Sequence, residues 1–274
     1  MTELQVLRVL VLVSAVVAPW STRLFVALPR GWRVAYGVGV VSVAGALFGL
    51  PWLAVLWPIF CLGNLAVVLA GRLPRSLPEL AAAVPFAFSL VAATWIVGGI
   101  HDLRILGYGP HFSFYAALHG NVLGWMLVGA IAALARREGP RQRLYVAATL
   151  VCFVSFLLVA IGIDVSASFK PIGVAGLTFA IPTAQIVFLI DARSNRAAFT
   201  AGLLAVGALA FTLGLAWLHQ LGLPSLGSIG SVRAMVAVHG VVNTLVVGPA
   251  MLWAVHRYVR TVDARRASAA LVGA

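Results

Sequence analysis

Apolar runs of about twenty residues recur along the whole chain, and a helix needs roughly 20 such residues to cross the hydrocarbon core of a bilayer. Hydrophobic residues make up 62% of the 274 residues and charged residues only 9%. An ordinary soluble domain carries about a quarter charged residues, so too little polar surface remains here to cover a globule. This excludes a cytosolic enzyme, a secreted disulfide scaffold and a disordered chain. The sequence predicts an all-α, polytopic transmembrane helix bundle.

The runs predict nine spans in a single integral membrane domain, residues 1–274, because no Pro- or Ser-rich linker separates them. The predicted spans are Leu4–Trp20, Val34–Leu50, Pro51–Gly71, Leu80–Ile100, Pro110–Ala135, Leu144–Ile163, Pro171–Ile190, Ala198–Leu218 and Ala234–Tyr258. The first span is short and contains Arg8, so a cleaved signal peptide is the alternative there. Glu3 in its charged region and the lack of a small-x-small cleavage site favour a span.

The basic residues set the predicted orientation, with the N-terminus outside and the C-terminus cytoplasmic. Fifteen of the 19 Lys and Arg residues fall in the gaps and the tail that this orientation places inside, in agreement with the positive-inside rule. The formal charge of +12 therefore reflects topology, and no nucleic-acid partner is expected. The much higher content of Ala, Val, Leu and Arg than of Lys is typical of a high-GC actinobacterium. We expect a multi-pass protein of the bacterial inner (plasma) membrane.

Ionisable and strongly polar residues within spans are costly, so they are candidates for function. They collect around the fourth gap and the fifth span as His101, Asp102, Arg104, Tyr108, His111, Tyr115, His119 and Asn121. His111, Tyr115 and His119 are spaced i, i+4, i+8, which places them on one helical stripe. At 1.5 Å per residue, His119 lies roughly 13 Å below the start of that helix.

The ninth span carries a similar segment with His239 and Asn243. AALHGNVLGWMLVG (residues 116–129) and AVHGVVNTLVVG (residues 237–248) each place His-Gly before an Asn and end in Gly. Gly120 and Gly240 would allow close helix approach. Together with His101, Asp102, Asp164 and His219, all at helix ends on the outer side, these segments predict one shared pocket. The Gly- and Ser-rich gap His219–Arg233 is expected to be a flexible loop that could cover it.

The pocket first indicates an enzyme for a lipophilic substrate that enters from the bilayer. Asp164 or Asp102, kept protonated by burial, would start cyclisation or isomerisation of an isoprenoid-type (terpenoid or meroterpenoid) substrate, with an epoxide as one form of it. His119 and His239 would orient the substrate or remove the final proton. The residues expected to bind substrate are His111, Tyr115, Asn121, Asn243, Trp125, Phe112 and Trp95. No cofactor and no metal is required, and the oligomeric state is left open.

Other interpretations remain open. A histidine within a span can simply bond a neighbouring helix, and Asp102 and Asp164 can be solvated loop residues. Two His-Gly helices pointing the same way also suit a small-molecule or proton-coupled transporter. Six histidines make a haem or metal protein a third possibility, with His119 and His239 as ligands.

Residues 111–129 and 237–248 resemble the YndJ-like family of bacterial integral membrane proteins. In that family an HFxYA-type element precedes one span and an HG-x-x-N element lies in a late span. Here the first element reads HFSFYA, with one extra residue before Tyr-Ala. The resemblance implies that His111, Tyr115, His239 and Asn243 belong to one site. It implies no particular activity; the cyclase hypothesis draws only on an analogy with terpenoid cyclases among small actinobacterial membrane proteins.

Overall fold

The computed structural model describes residues 1–70, 73–166, 168–222 and 227–272, and it confirms the all-α bundle. The α-helices are α1 Glu3–Val17, α2 Trp32–Phe48, α3 Leu56–Leu69, α4 Leu77–His101, α5 Pro110–Leu118, α6 Gly129–Ala135, α7 Gln142–Asp164, α8 Phe169–Ala192, α9 Arg196–Gln220 and α10 Gly248–Val272. Short 3₁₀ segments lie at Ala18–Leu24, Pro51–Val55 and Ile105–Gly107. A two-stranded hairpin, β1 Ser228–Ile229 and β2 Val232–Arg233, precedes the last span.

The long apolar helices correspond closely to the predicted spans. Among the described residues, eight helical segments are long and apolar enough to cross a membrane, and Trp32–Phe48 is a shorter apolar helix. Together they match the nine predicted runs in order. The first and last spans are longer than predicted, Glu3–Leu24 and Met235–Arg265. The orientation stays a prediction, and we use it to call the end of the bundle that holds Glu3 and the hairpin the outer end.

The segment Pro110–Ala135 lies at the centre of the bundle. In the apolar stretch of this segment 89% of the residues are buried, against 22–56% in the apolar stretches of the other long helices. Two glycines spaced i, i+4 allow this position. A Cβ on Gly120 would lie 2.8 Å from the Ala92 Cβ, and one on Gly124 would lie 2.1 Å from the Phe88 Cγ. These glycines therefore let the central segment pack directly against α4, as small residues do between membrane helices.

Both of the similar His-Gly segments leave α-helical geometry. Residues His119–Val128 form a π-helix in the central segment, and residues Met235–Gly240 and Asn243–Val247 form two π-helical stretches before α10. π-Helical turns are rare in proteins, and those that do occur are often found at functional sites. The likeness of the two sequences therefore extends to the local backbone.

The two ends of the bundle are held by different contacts. At the inner end, Arg137 donates to both carboxylate oxygens of Asp263 at 2.7 and 2.8 Å, and Arg141 pairs with Asp191. At the outer end, part of the gap expected to be a flexible loop is ordered as the β1–β2 hairpin. Residues 223–226 of that gap lie outside the described residues.

We predict that Gly124→Ala destabilises the protein, because its new methyl group would collide with the Phe88 ring. Overpacking of this kind costs about 1–3 kcal/mol. Gly207→Ala in α9, where nothing lies within 4 Å of the new Cβ, is the matched control. Thermal unfolding in detergent should show a lower midpoint for Gly124→Ala alone, and equal midpoints for both variants would contradict the packing.

The predicted orientation can be tested with two exposed serines, Ser228 in the hairpin and Ser194 between α8 and α9. Both native cysteines, Cys61 and Cys152, are buried. A membrane-impermeant maleimide added to intact cells should label Ser228→Cys and should reach Ser194→Cys only after permeabilisation. The reverse pattern would invert the topology.

Candidate functional site

His119 and His239 are held in the same way, each by a backbone carbonyl. The His119 Nδ1 lies 2.8 Å from the carbonyl oxygen of Tyr115, one turn earlier in the same helix. The His239 Nδ1 lies 3.0 Å from the carbonyl oxygen of Thr212 in α9. A carbonyl oxygen only accepts, so each Nδ1 must carry the proton of its hydrogen bond. Each neutral ring then presents an unprotonated Nε2.

The Nε2 atoms of both rings make no hydrogen bond to any residue within the described ranges. His239 lies within electrostatic range of His119 and of His219 at the outer end of α9. The His119 side chain is exposed although its helix is the most buried span. The structure thus brings two of the predicted catalytic residues into one neighbourhood, with their basic nitrogens free.

Thr212 connects the site to Asn243. Its hydroxyl lies 3.0 Å from the Asn243 Oδ1 and 3.1 Å from the carbonyl oxygen of Leu209. One residue of α9 therefore binds His239 through its carbonyl oxygen and Asn243 through its hydroxyl. Both partners lie in the π-helical stretches before α10, so α9 positions the two predicted residues of the last span relative to each other.

A half-buried carboxylate links three distant segments above the histidines. Glu3 at the start of α1, its side chain only 12% exposed, accepts from the Arg233 Nη2 at 2.6 Å and from the Tyr115 hydroxyl at 2.9 Å. The Arg233 Nη2 also lies 2.9 Å from the Tyr115 hydroxyl oxygen. Hydrogen bonds to Glu3 raise the pKa of Arg233 above its usual value. Ser231 donates to the Met1 carbonyl at 2.9 Å, so the hairpin is fastened to the N-terminus.

Several predicted site residues lie elsewhere. Asn121 is fully buried and donates to the Ser14 hydroxyl in α1 at 3.0 Å. Trp125 is fully buried in the core, 6.2 Å from Trp57 between ring centroids. Both side chains are therefore occupied by core contacts and are not exposed beside His119.

The predicted carboxylates do not join the histidines within the described residues. Asp102 ends α4, and its exposed side chain lies 3.6 Å from Arg104. Asp102 therefore lacks the burial that the acid role had required. The side chain of Asp164 lies outside the described residues. His111 is exposed, and the Phe112 ring packs between Trp95 and Tyr108, at centroid distances of 5.5 and 3.9 Å.

Sequence reasoning missed Glu3, Arg233 and Thr212 as parts of this region. In the sequence, Glu3 was only an argument against a cleaved signal peptide. Arg233 was only one of the few basic residues predicted to lie on the outer side. The available signal was their charge at the outer ends of two spans, where an ion pair is favourable. Thr212 carries no such signal, because hydroxyl residues are common in membrane helices.

No three His, Cys, Asp or Glu residues in the described ranges are placed so as to hold a metal ion. A model of the family described as "YndJ-like protein" matches residues 8–247, which confirms the resemblance drawn from the two His-Gly segments. No curated protein and no solved structure matches the chain.

Arg233→Gln should release the hairpin, because a charged hydrogen bond contributes about 1–3 kcal/mol and Glu3 would lose its cation. Amide hydrogen exchange of residues 228–233 should accelerate in this variant. Arg104→Gln, which removes only an exposed pair, should leave that exchange unchanged. Unaltered protection in Arg233→Gln would show that the ion pair does not hold the hairpin.

Proposed function

Since this chain belongs to the YndJ-like protein family, we propose a function from its own site: a membrane-embedded enzyme that isomerises a hydrophobic, isoprenoid-type substrate by proton transfer. The observation that supports it is the matched pair His119 and His239. Each ring is oriented by a carbonyl at Nδ1 and keeps its Nε2 free. Orientation of an imidazole through its second nitrogen is how enzymes prepare a general base.

The class of reaction follows from the acid strength of the groups that could donate a proton. An imidazolium, with an ordinary pKa of about 6.5, is too weak to protonate an isolated alkene. An imidazolium can act as the acid when a carbonyl group lies one carbon away from the double bond. The carbonyl then acidifies the C–H bond of the carbon between them, which a neutral imidazole can deprotonate. Asp102 is exposed and paired with Arg104. The described residues therefore favour isomerisation over epoxide- or alkene-initiated cyclisation, which would need a carboxylic acid such as Asp164.

The proposed step is a 1,3-proton shift. The free Nε2 of one neutral imidazole takes the proton from the carbon next to the carbonyl, and the electron pair of that C–H bond becomes part of a dienolate. The other ring, protonated at Nε2, donates its proton to the far carbon of the former double bond. One C–H bond breaks and one forms, the double bond moves by one position, and no net proton is consumed. The two rings exchange protonation states, and a proton passing between them restores the start.

The surroundings support a lipophilic substrate that enters sideways. His119 is exposed on a helix otherwise packed in the bundle, roughly 13 Å below its start. Phe112, seven residues earlier, lies on the same helical face and stacks with Tyr108. Above them Glu3, Arg233 and Tyr115 are hydrogen-bonded to one another at the outer end of the bundle. We assign the protein to the inner membrane of a bacterium as part of this proposal.

Turnover in D2O tests the proposal directly. The full chain in lipid nanodiscs is incubated with a polyprenyl β,γ-unsaturated ketone, and the product is analysed by mass spectrometry. We expect the conjugated isomer with one deuterium at the far carbon. His239→Ala and His119→Ala should each lower the rate by about 10²–10⁴-fold.

Asp102→Asn is the matched control, because Asp102 is a polar outer residue without contact to either ring, and it should retain the wild-type rate. Full turnover in both histidine variants would end the proposal. Loss of turnover in Asp164→Asn with activity retained in the histidine variants would assign the acid role to the carboxylate and contradict the histidine mechanism.

A further inference from the structure

A second polar feature lies on another face of α1, away from the histidines. Arg8 lies in the first membrane span, five residues after Glu3 and hence roughly 8 Å deeper in the bundle. Its Nε is buried without a hydrogen-bond partner. Arg8 also makes no ion pair and no hydrogen bond with any residue of the described ranges. A charged side chain in a span is costly unless a partner compensates it.

Arg8 lines a cavity of about 400 Å³ at the outer end of the bundle. Its remaining walls are the apolar outer ends of α2 and α4 and the turn between α2 and α3: Ala46, Leu47, Phe48, Gly49, Pro51 and Ile100. The volume falls within the range of small-molecule pockets, about 300–1,000 Å³. The cavity thus combines one guanidinium with hydrocarbon walls.

We propose that this cavity binds one phospholipid of the outer leaflet, with the headgroup phosphate on Arg8 and an acyl chain along the apolar walls. A guanidinium presents its N–H groups in a planar fork that matches the oxygens of a phosphate. The depth of Arg8 below the outer end corresponds to the region where headgroups meet acyl chains. The proposal is independent of the histidine pair.

A free phosphate ion and a lipid phosphate share the chemistry that Arg8 recognises. The apolar walls favour the lipid, because they can contact its acyl chain. A free phosphate ion would make no favourable contact with these walls and would lose its hydration. An uncharged lipid would fill the walls but leave Arg8 without its acceptor. The experiment therefore compares phosphatidylglycerol, the diacylglycerol with the same acyl chains, and inorganic phosphate.

Native mass spectrometry of the delipidated full chain in mild detergent gives the fraction that carries one added lipid. We expect the wild type to bind phosphatidylglycerol at least about tenfold more tightly than the diacylglycerol. Arg8→Gln should abolish this preference, and Arg8→Lys should retain part of it, since an ammonium is a point charge without the fork. Arg104→Gln, another outer arginine, should bind as the wild type does.

Ile100→Trp keeps Arg8 and fills the cavity, and it should also lose the bound phosphatidylglycerol. This variant distinguishes a filled cavity from a lost charge. Circular dichroism of each variant verifies that the helices are intact. Equal phosphatidylglycerol binding by wild type and Arg8→Gln would overturn the proposal, as would equal binding of the diacylglycerol by the wild type. Displacement of the lipid by millimolar inorganic phosphate would assign the site to a free anion instead.

Discussion

The packing of the central segment Pro110–Ala135 against α4 is the contact on which the rest of the structure depends. Gly120 and Gly124 bring the two backbones so close that a Cβ at either position would collide with α4. The central segment is thereby buried on nearly every side and its residues are divided among different neighbours. Asn121 faces α1 and Trp125 faces the core, while His119 stays exposed. The π-helical geometry after Leu118 changes the residue spacing over this stretch, so Asn121 and Trp125 do not take the positions that a regular α-helix would give them.

Polar groups within hydrocarbon require partners, and around the two histidines the outer half of the bundle provides them in two layers. The upper layer consists of Glu3, Arg233 and Tyr115, which bond one another and fasten the hairpin over the bundle. Below it, backbone carbonyls bind one nitrogen of each of the two histidines and leave the other free. The proposed proton transfer rests on these two rings, each of which has one bonded and one free nitrogen. In a medium of low dielectric constant these bonds are stronger than in water.

The pattern of long apolar helices was predictable because runs of about twenty apolar residues indicate such helices directly. The two His-Gly segments were also recognisable, since their likeness is written in the sequence. The partners were not: Glu3 and Arg233 are 230 positions apart, and only the fold brings them together. The π-helices were unpredictable because the residues concerned favour no such geometry on their own. Asp102 illustrates the converse, since a carboxylate at a helix end can be buried or exposed, and here it pairs with Arg104 in the open.

The tautomers of His119 and His239 test the account most directly, because the free Nε2 atoms are what the proposed chemistry uses. Solid-state NMR of ¹⁵N-histidine-labelled protein in lipid bilayers reports which ring nitrogen carries the proton, and single His→Ala variants assign each signal. At neutral pH we expect a protonated Nδ1 and an unprotonated Nε2 for the neutral form of both rings. A proton on Nε2 of either neutral ring, with Nδ1 bare, would contradict the hydrogen bonds to Tyr115 and Thr212 and remove the basis for the pair.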